Sequence, residues 1–335
     1  MAKKGQSYKE IVIRQFRKNR PAVISVYVIF SIFFLAIFAD FIANDKPLTC
    51  VLKGERYFPV LKQYAVKMGF SYWQPELQNA DWKKLDYDSA IFPVVPYLPT
   101  SLDYSARFHS PRPGHWFGTD QIGRDVLSGM IHGTRTALAV GLISMGIAII
   151  IGLILGAFAG YYGGLIDMLV QRIIEIMMTI PTFFLIITVV AFYPGGGIWL
   201  IMVIIGLTSW PGVARFTRAE FLKVRNMDYV TAAQALGYNA SRTIFRHVLP
   251  NAIAPVLVIA VFGIASAILT ESGLSFLGFG SATTVSWGSI LSVARGATYA
   301  WWMAVFPGTA IFITVTIYNL VGEGLRDAMD PRLKK

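Results

Sequence analysis

The chain has 335 residues, of which 55% are hydrophobic and 15% are charged, and its formal net charge is +11. Soluble domains are usually about a quarter charged, so this composition predicts an integral membrane protein. Its basic residues cluster beside apolar segments, which is typical of membrane topology and argues against nucleic acid as a partner. The single Cys50 excludes an internal disulfide and a cysteine-based metal site. The four histidines lack metal-ligand spacing, so neither a metal nor a cofactor is expected.

The first apolar segment follows a basic N-terminus. Residues 1–20 carry seven Lys and Arg side chains against a lone Glu10, and residues 21–43 are almost wholly apolar. About 20 apolar residues span a bilayer, whereas the core of a signal peptide is shorter. We therefore expect an uncleaved transmembrane helix at 21–43 and a cytoplasmic N-terminus at 1–20.

A long polar segment comes next, at 44–135, and it contains no apolar run of spanning length. Its aromatic residues include Tyr57, Phe58, Tyr64, Phe70, Tyr72, Trp73 and Trp82. They favour a small extracytoplasmic lobe over a mobile loop. Near the end of the segment, apolar residues recur at helical spacing at Val126, Leu127, Met130 and Ile131. That spacing predicts an amphipathic helix on the membrane surface.

Five further apolar segments of spanning length lie within residues 136–322. They are 136–160, 166–192, 198–216, 253–274 and 303–321. The first is rich in small residues, which permit close helix contact in lipid, and Pro181 is expected to kink the second. With the segment at 21–43, they predict an all-α integral membrane protein with six transmembrane helices and an insertion after the first.

Arg172 and Glu175 stand three residues apart, on one helix face of the segment at 166–192. Charges inside a membrane are costly and normally face a helix bundle or water. Both residues are also near the end of their segment. They therefore have two possible roles, an intersubunit or translocation-path contact and a simple interfacial position.

The distribution of basic residues orients the chain in the membrane. An even number of spans returns the tail at 323–335 to the side of the N-terminus. Basic residues concentrate in that tail and in the loop at 217–250, whereas the connections at 193–197 and 276–302 contain only Arg295. Because basic loops stay in the cytoplasm, both termini and the loop at 217–250 are predicted to be cytoplasmic.

Residues 228–250 form a polar, basic island within that loop. Asp228 is expected to cap a short helix, and Gly237 to end it in the left-handed conformation. The apolar face of this helix consists of Ala232, Ala233 and Leu236.

A second short helix is expected to follow, capped by Asn239 and stopped by Pro250. Its apolar face consists of Ile244, Phe245 and Val248. Helices this short do not persist alone in water, so something must pack on them. An ordinary helix–turn–helix surface loop would show the same pattern.

The spacing of this island resembles the coupling loop of ABC-type importer permeases. It has an Ala-Ala pair at 232–233, Gly237 four residues after the second Ala, and Leu-Pro at 249–250. Thr231 stands where the family usually has Glu, and His247 where it often has Ile. The residues to which the resemblance assigns ATPase coupling are Asp228, Ala232, Ala233, Gly237, His247, Leu249 and Pro250.

Two more stretches resemble the oligopeptide/dipeptide/nickel branch of that family, namely GTDQIGRD at 118–125 and ESGLSFLGFG at 271–280. ANDKPL at 43–48 and YFPVLK at 57–62 look like permeases for peptide-type compounds such as microcin C. This likeness favours peptides over nickel or another small solute as cargo. Glu271, near the outer end of its span, either lines the translocation path or pairs with a neighbour.

The resemblance implies the type I ABC importer permease fold in a bacterial inner membrane, surrounded by lipid. The partners it implies are a second homologous permease subunit, two cytoplasmic P-loop ATPase subunits and an extracytoplasmic peptide-binding protein. The chain lacks the G-x-x-x-x-G-K-[ST], G-x-S-x-G and H-E-x-x-H motifs. It is therefore not expected to be an enzyme, and ATP hydrolysis is assigned to the partner subunits.

An ion-coupled secondary transporter is the alternative from a different class. Such transporters usually combine internal repeats with helices broken at mid-membrane, and the halves of this sequence show no convincing repeat. A membrane enzyme is disfavoured because the sequence contains no catalytic constellation.

Overall fold

The computed structural model describes residues 8–78, 80–193 and 195–329. The basic residues at 1–7 and at 330–335, which are predicted to be cytoplasmic, lie outside these ranges. The α-helices of the described residues are α1 (Tyr8–Phe16), α2 (Arg20–Ile37), α3 (Ala39–Ile42), α4 (Pro59–Lys67), α5 (Pro75–Gln78), α6 (Val126–Tyr162), α7 (Gly164–Thr179), α8 (Thr182–Phe192), α9 (Gly197–Val224), α10 (Asp228–Ala235), α11 (Ala240–Thr243), α12 (Leu249–Phe276), α13 (Trp287–Val293) and α14 (Trp302–Met329). The strands are β1 (Thr49–Leu52), β2 (Glu55–Tyr57) and β3 (Ser89–Ile91).

Long apolar helices dominate the described part of the chain. Five helical stretches are long and apolar enough to cross a membrane, those of α2, α6, α9, α14 and the continuous stretch through α11 and α12. The bent pair of α7 and α8 makes a sixth when it counts as one span. The architecture is therefore the predicted all-α membrane fold with six spans.

The helix α6 is at the centre of this bundle and packs along α9. A Cβ atom at Gly156 would lie 2.4 Å from the carbonyl oxygen of Ala214, so only glycine permits this approach. Across the same interface, the hydroxyl of Ser144 donates a hydrogen bond of 2.8 Å to the carbonyl of Met202. The small residues of the second span thus provide the predicted close contact, and its partner is α9.

The helix α6 is longer than the sequence indicated. Asp125 caps it, because its carboxylate accepts a 2.7 Å hydrogen bond from the backbone N–H of Ser128. From there it runs for 37 residues, about 55 Å, whereas the hydrocarbon core of a bilayer measures roughly 30 Å. The prediction of a separate helix on the membrane surface is wrong. Val126, Met130 and Ile131 are buried, and no helix-breaking residue separates them from the second span.

The first predicted span is divided in the structure. The side chain of Asn19 accepts a 3.1 Å hydrogen bond from the N–H of Ala22, which caps α2 at its start. α2 ends at Ile37, and the short helix α3 follows at Ala39. The apolar segment at 21–43 is therefore one transmembrane helix with a short helix at its end.

Pro181 breaks the third span. The axes of α7 and α8 differ by 77° across the short break between them. Ile180 has the extended conformation (φ −82°, ψ 123°) that the residue before a proline favours. The predicted kink at Pro181 is confirmed, and the bend is sharp enough to separate two helices.

Residues 44–125 form a small lobe between α3 and α6. Its antiparallel sheet has the order β2-β1-β3, and buried Cys50 in β1 faces Tyr57 in β2. Burial raises the pKa of the Cys50 thiol. The rings of Trp73 and Trp82 meet edge to face at 5.3 Å. The aromatic residues therefore build the lobe only in part, since the side chain of Phe70 is exposed.

A network of polar side chains joins the lobe to the membrane helices. Arg135 of α6 donates hydrogen bonds to the carboxylate of Asp40 at 2.6 Å and to the carbonyl of Ile37 at 2.9 Å. The hydroxyl of Tyr64, in α4, donates to the same carboxylate at 2.5 Å. These bonds fix α4 against the end of α2 and the first third of α6.

Candidate functional site

The helical pair at residues 228–250 connects α9 to α12, at the end of α6 remote from the lobe. The N–H of Gly237 donates to the carbonyl of Gln234 at 2.9 Å, and the N–H of Tyr238 donates to that of Ala233 at 3.2 Å. Gly237 has a φ of +81°. These two bonds and this φ define a Schellman motif, which confirms the predicted left-handed end of α10.

Asp228 is the first residue of α10 and not its cap. The N-cap position belongs to Met227, whose backbone is extended (φ −79°, ψ 145°). The predicted capping role of Asp228 is therefore wrong, because its own backbone is already helical. Its carboxylate still lies in the first turn, where a negative charge interacts favourably with the helix dipole.

Asn239 begins the second helix of the pair as predicted. Its side-chain oxygen accepts a 2.8 Å hydrogen bond from the N–H of Arg242, which caps α11. Loss of such a cap costs about 1 kcal/mol. The cap therefore sets where the chain re-enters helical conformation after Gly237.

The second helix does not stop at Pro250. A π-helical turn at Ile244–Val248 links α11 to α12, and the N–H of Leu249 bonds to the carbonyl of Ile244. Pro250 occupies the first turn of α12, where a proline ring is tolerated. The predicted stop is wrong because the wider turn lets the helix continue past the missing N–H.

One side of the pair is an apolar base. Its buried members are Val230, Ile244 and Val248 of the pair, Phe221 and Val224 of α9, and Ala252 of α12. Ala157, Tyr161 and Leu249 pack against them and are partly buried. Burying one such large side chain contributes about 1.5–3 kcal/mol. The pair is therefore held to the ends of α6, α9 and α12 as one body.

The opposite side of the pair exposes apolar side chains. Leu236 is 74% exposed and Phe245 is 67% exposed. Ala232 is also exposed. Both predicted apolar faces are therefore wrong. In the first helix Ala233 is buried while Ala232 and Leu236 are exposed, and in the second Ile244 and Val248 are buried while Phe245 is exposed. At 100° per residue, Ala232 and Leu236 project about 110° away from the buried side chains of Val230 and Ala233. Exposed apolar residues of this kind mark an interaction surface.

The side chain of His247 packs against the connection between α10 and α11. Its ring stacks on that of Tyr238, with centroids 5.8 Å apart and planes at 24°. The guanidinium of Arg242 lies 4.1 Å from the centroid of the Tyr238 ring. His247 is thus half-buried against Tyr238, unlike the exposed Leu236 and Phe245.

Arg172 and Glu175 pair with each other on α7. The Arg172 guanidinium donates to the Glu175 carboxylate at 2.7 Å, and both side chains are exposed. Their predicted placement on one helix face is correct. The exposed pair is available to a second protein, while Glu175 already neutralises the charge of Arg172.

Glu271 is enclosed within α12 and its neighbours. Its side chain is buried, and it accepts a 2.6 Å hydrogen bond from the hydroxyl of Ser275. Of the two roles left open for Glu271, pairing with a neighbour is the one seen in the structure.

The comparison with known proteins places these features in a family. Residues 152–335, more than half of the chain, match the model of the binding-protein-dependent transport system inner membrane component. Residues 7–56 match the N-terminal TM domain of oligopeptide transport permease C. The chain belongs to the family of binding-protein-dependent inner membrane permeases.

Relatives of this permease carry similar descriptions. The inner membrane ABC transporter permease protein YejE of Escherichia coli is 34% identical over 328 residues, which cover 95% of each chain. A putative peptide permease protein of Brucella suis is 39% identical over 242 residues, or 71% of this chain and 80% of the relative. The dipeptide transport system permease protein DppC of Alkalihalophilus pseudofirmus is 40% identical, with coverage of 71% and 80%.

The permease has an open cavity of about 520 Å³ between α6, α8, α9 and α12. Its polar lining comes from the hydroxyl residues Thr182, Thr208, Ser209, Ser266 and Thr270. A second cavity of about 700 Å³ lies between α9, α12 and α14, near the helical pair. Ile259 and Phe262 line both cavities. The two cavities therefore adjoin, and together they lead toward the helical pair.

Sequence reasoning missed this lining of the permease. A signal was present in the spacing, because Ser266 and Thr270 stand four residues apart on α12 and so share one face. The hydroxyl of Thr270 donates to the carbonyl of Ser266 at 2.8 Å. Such internal bonds let hydroxyl residues lie in apolar helices without a polar partner.

Proposed function

We propose that this permease forms half of the translocation path of an ATP-driven importer for oligopeptides or dipeptides. We further propose that it receives mechanical work through residues 228–250. The observation that carries the proposal is the two-sided helical pair. Its apolar base is buried against the bundle, and its other face presents Leu236 and Phe245.

This arrangement suits a lever. A force on the exposed face would move α10, α11 and the start of α12 together, because all three are packed against the same buried apolar cluster. Packed helices shift between discrete arrangements instead of deforming continuously. The adjoining cavities between α9 and α12 would open or close when these helices move. ATP hydrolysis then belongs to the partner subunits, and this chain is not itself an enzyme.

A second permease subunit is expected on the surface of α7 and α8. Both helices expose large apolar side chains, namely Leu165, Met168, Leu169, Ile173, Ile176, Met178, Phe183 and Phe184. Arg172 and Glu175 lie among them and offer a polar contact that lipid would not satisfy. Thr182 and Phe183 of α8 line the cavity of about 520 Å³, so a partner packed on α8 would lie beside it.

The proposed topology has both termini and the helical pair in the cytoplasm, with the lobe outside. Basic residues support it, because Arg215, Arg218, Lys223, Arg225, Arg242 and Arg246 cluster in and before the pair. Positive charge of this kind favours the cytoplasmic side. An extracytoplasmic peptide-binding protein would then deliver cargo on the side of the lobe.

Peptide cargo is supported by several relatives that are described as peptide, dipeptide or di/tripeptide permeases. The hydroxyl residues of the cavity suit a peptide, because hydroxyl oxygens such as those of Thr208, Ser209 and Thr270 donate within their own helices and can still accept from peptide N–H groups. The apolar remainder of the lining accepts side chains of varied size.

Co-purification and uptake test this proposal. The tagged permease, expressed with its neighbouring transport subunits, is expected to recover a second permease and two P-loop ATPases. Vesicles containing the complex should accumulate labelled dipeptides only with ATP and binding protein present. Peptide uptake by this chain alone would overturn the proposal.

A matched pair of variants locates the ATPase contact. Phe245→Asp puts a charge on the exposed face and is expected to reduce ATPase recovery while the second permease is retained. Tyr72→Asp makes the same kind of change at an exposed residue of the lobe and should leave ATPase recovery unchanged. Equal recovery with both variants would exclude the face of Phe245 as the docking surface.

A further inference from the structure

A row of aromatic rings continues from the first transmembrane helix into the lobe. Phe34 and Phe38 have ring centroids 4.4 Å apart, and Phe38 and Phe41 follow at 5.9 Å. The Phe41 ring then stacks on Tyr64 of α4 at 6.2 Å, with planes at 17°. α4 thus continues the aromatic surface of α2 across the end of the span.

The part of α2 that begins this row faces away from the bundle. Tyr27, Phe30, Phe34 and Ile37 are all exposed, and they recur every three or four residues on one face. In a membrane protein such a face is covered by lipid. The row of rings therefore connects a lipid-covered surface directly to α4.

α4 itself is amphipathic, with an unpartnered apolar stripe. Val60 is buried on the side toward the sheet, whereas Leu61 and Met68 are 54% and 62% exposed. Leu61 and Met68 are seven residues apart and share one face. Phe58 and Phe70, at the two ends of the helix, are also exposed. Exposed apolar side chains therefore lie in α4 at Leu61 and just beyond both of its ends.

Two lysines flank this stripe. At 100° per residue, Lys62 and Lys67 project about 100° to either side of the line through Leu61 and Met68. The ammonium of Lys62 lies 5.3 Å from the centroid of the Trp73 ring. A helix with an apolar stripe between basic side chains fits the boundary between acyl chains and anionic headgroups.

We propose that α4 is an interfacial anchor that lies in the headgroup region of the bilayer at the end of α2. Its stripe of Phe58, Leu61, Met68 and Phe70 contacts acyl chains, and its lysines contact lipid phosphates. The hydrogen bonds from Arg135 and Tyr64 to Asp40 hold α4 at the level where the span ends. The lobe is then supported by lipid on one side and by α6 on the other.

Spin labels on single cysteines test this placement in the full-length chain. Cys50, the one native cysteine, is replaced by Ala, and labels are attached at Leu61→Cys, Met68→Cys or Leu102→Cys. Leu102 is the matched control, since it is 53% exposed in the lobe but outside α4. The protein is reconstituted in vesicles of phosphatidylcholine with a minor fraction of phosphatidylglycerol. Collisions with oxygen, which concentrates in lipid, are compared with collisions with a water-soluble nickel chelate.

The expected result is that oxygen dominates at Leu61 and Met68, whereas the nickel chelate dominates at Leu102. Dominance of the chelate at Leu61 and Met68 would overturn the proposal. So would labels at Leu61 and Met68 that become immobile only when a soluble binding protein is added, because α4 would then be a protein-docking surface.

A second test replaces Lys62 and Lys67 with Gln, which should move both labels toward water in the anionic vesicles. No change in label depth on this double replacement would exclude lysine contacts with lipid phosphates.

Discussion

Gly237 provides the sharpest test of the lever. Its φ of +81° lies in the left-handed region, and among the described residues no heavy atom lies within 4 Å of a Cβ built there. A side chain at this position therefore meets open space. Replacement of Gly237 by Val perturbs the backbone conformation alone, without a steric clash.

The size of the effect follows from this geometry. An L-residue in the left-handed conformation costs about 1–2 kcal/mol, and a β-branched residue is at the upper end because it is a genuine outlier there. About 2 kcal/mol shifts the equilibrium between the formed and the distorted turn by roughly 30-fold. The two hydrogen bonds of the Schellman motif, from Gly237 and Tyr238, are the contacts at risk.

The assay measures ATP hydrolysis and peptide uptake by the reconstituted complex. Gly237→Val is expected to lower uptake per ATP hydrolysed while membrane insertion stays normal. Gly237→Asn is the matched control, because Asn tolerates the left-handed conformation, and it should retain most coupling. Normal uptake by the Val variant, or an equal defect in the Asn variant, would refute the reasoning.

Three other substitutions test the packing of α6, the attachment of the lobe and the assembly with a second permease. Gly156→Leu should destabilise the permease by about 3 kcal/mol or more in detergent melting, since overpacking drives α6 from the Ala214 carbonyl. Arg135→Met should cost about 1–3 kcal/mol, because it leaves the Asp40 carboxylate without its cation, and should speed amide exchange in α4. Arg172→Ala should change the free energy of unfolding by less than about 1 kcal/mol, as its ion pair is exposed, yet reduce recovery of the second permease.

Each of these predictions has its own control. Gly146→Leu enters a site where no described heavy atom lies within 4 Å of the new Cβ, so a melting loss equal to that of Gly156→Leu would contradict close packing as the cause. Adding Asp40→Asn to Arg135→Met should restore part of the lost stability. No recovery would exclude the unpaired Asp40 carboxylate as the cause of the loss. Full recovery of the second permease with Arg172→Ala would remove that residue from the subunit contact.

Several local signals in the sequence predicted the backbone correctly, although the predicted cap at Asp228 and the predicted stop at Pro250 were wrong. Asn239 caps α11, Gly237 takes the left-handed conformation, and Pro181 separates α7 from α8, because each effect depends on chemistry within a few residues. The spans were also predictable, since the length and apolarity of a transmembrane helix are properties of the segment itself.

The side on which an apolar residue packs could not be predicted in the same way. Phe245 and Val248 are equally apolar in sequence, yet one is exposed and the other is buried. Hydrophobicity alone does not distinguish a side chain that binds a partner from one that packs in its own fold. The extension of α6 to Val126 and the passage of α11 into α12 were missed because they depend on contacts with distant helices.

The π-helical turn at Ile244–Val248 has a consequence for engineering. Such a turn holds one residue more than an α-helical turn, and each residue rotates a helix by 100°. The wide turn absorbs this extra residue, so α11 and α12 keep nearly the orientation of one regular helix. Deleting a single residue within Ile244–Val248 should therefore restore regular winding and leave that orientation nearly unchanged. Deleting a residue from the regular part of α12 would instead rotate the helical pair by about 100° relative to the rest of the span. Loss of one residue should therefore be tolerated better at the π-helical turn than elsewhere in this helix.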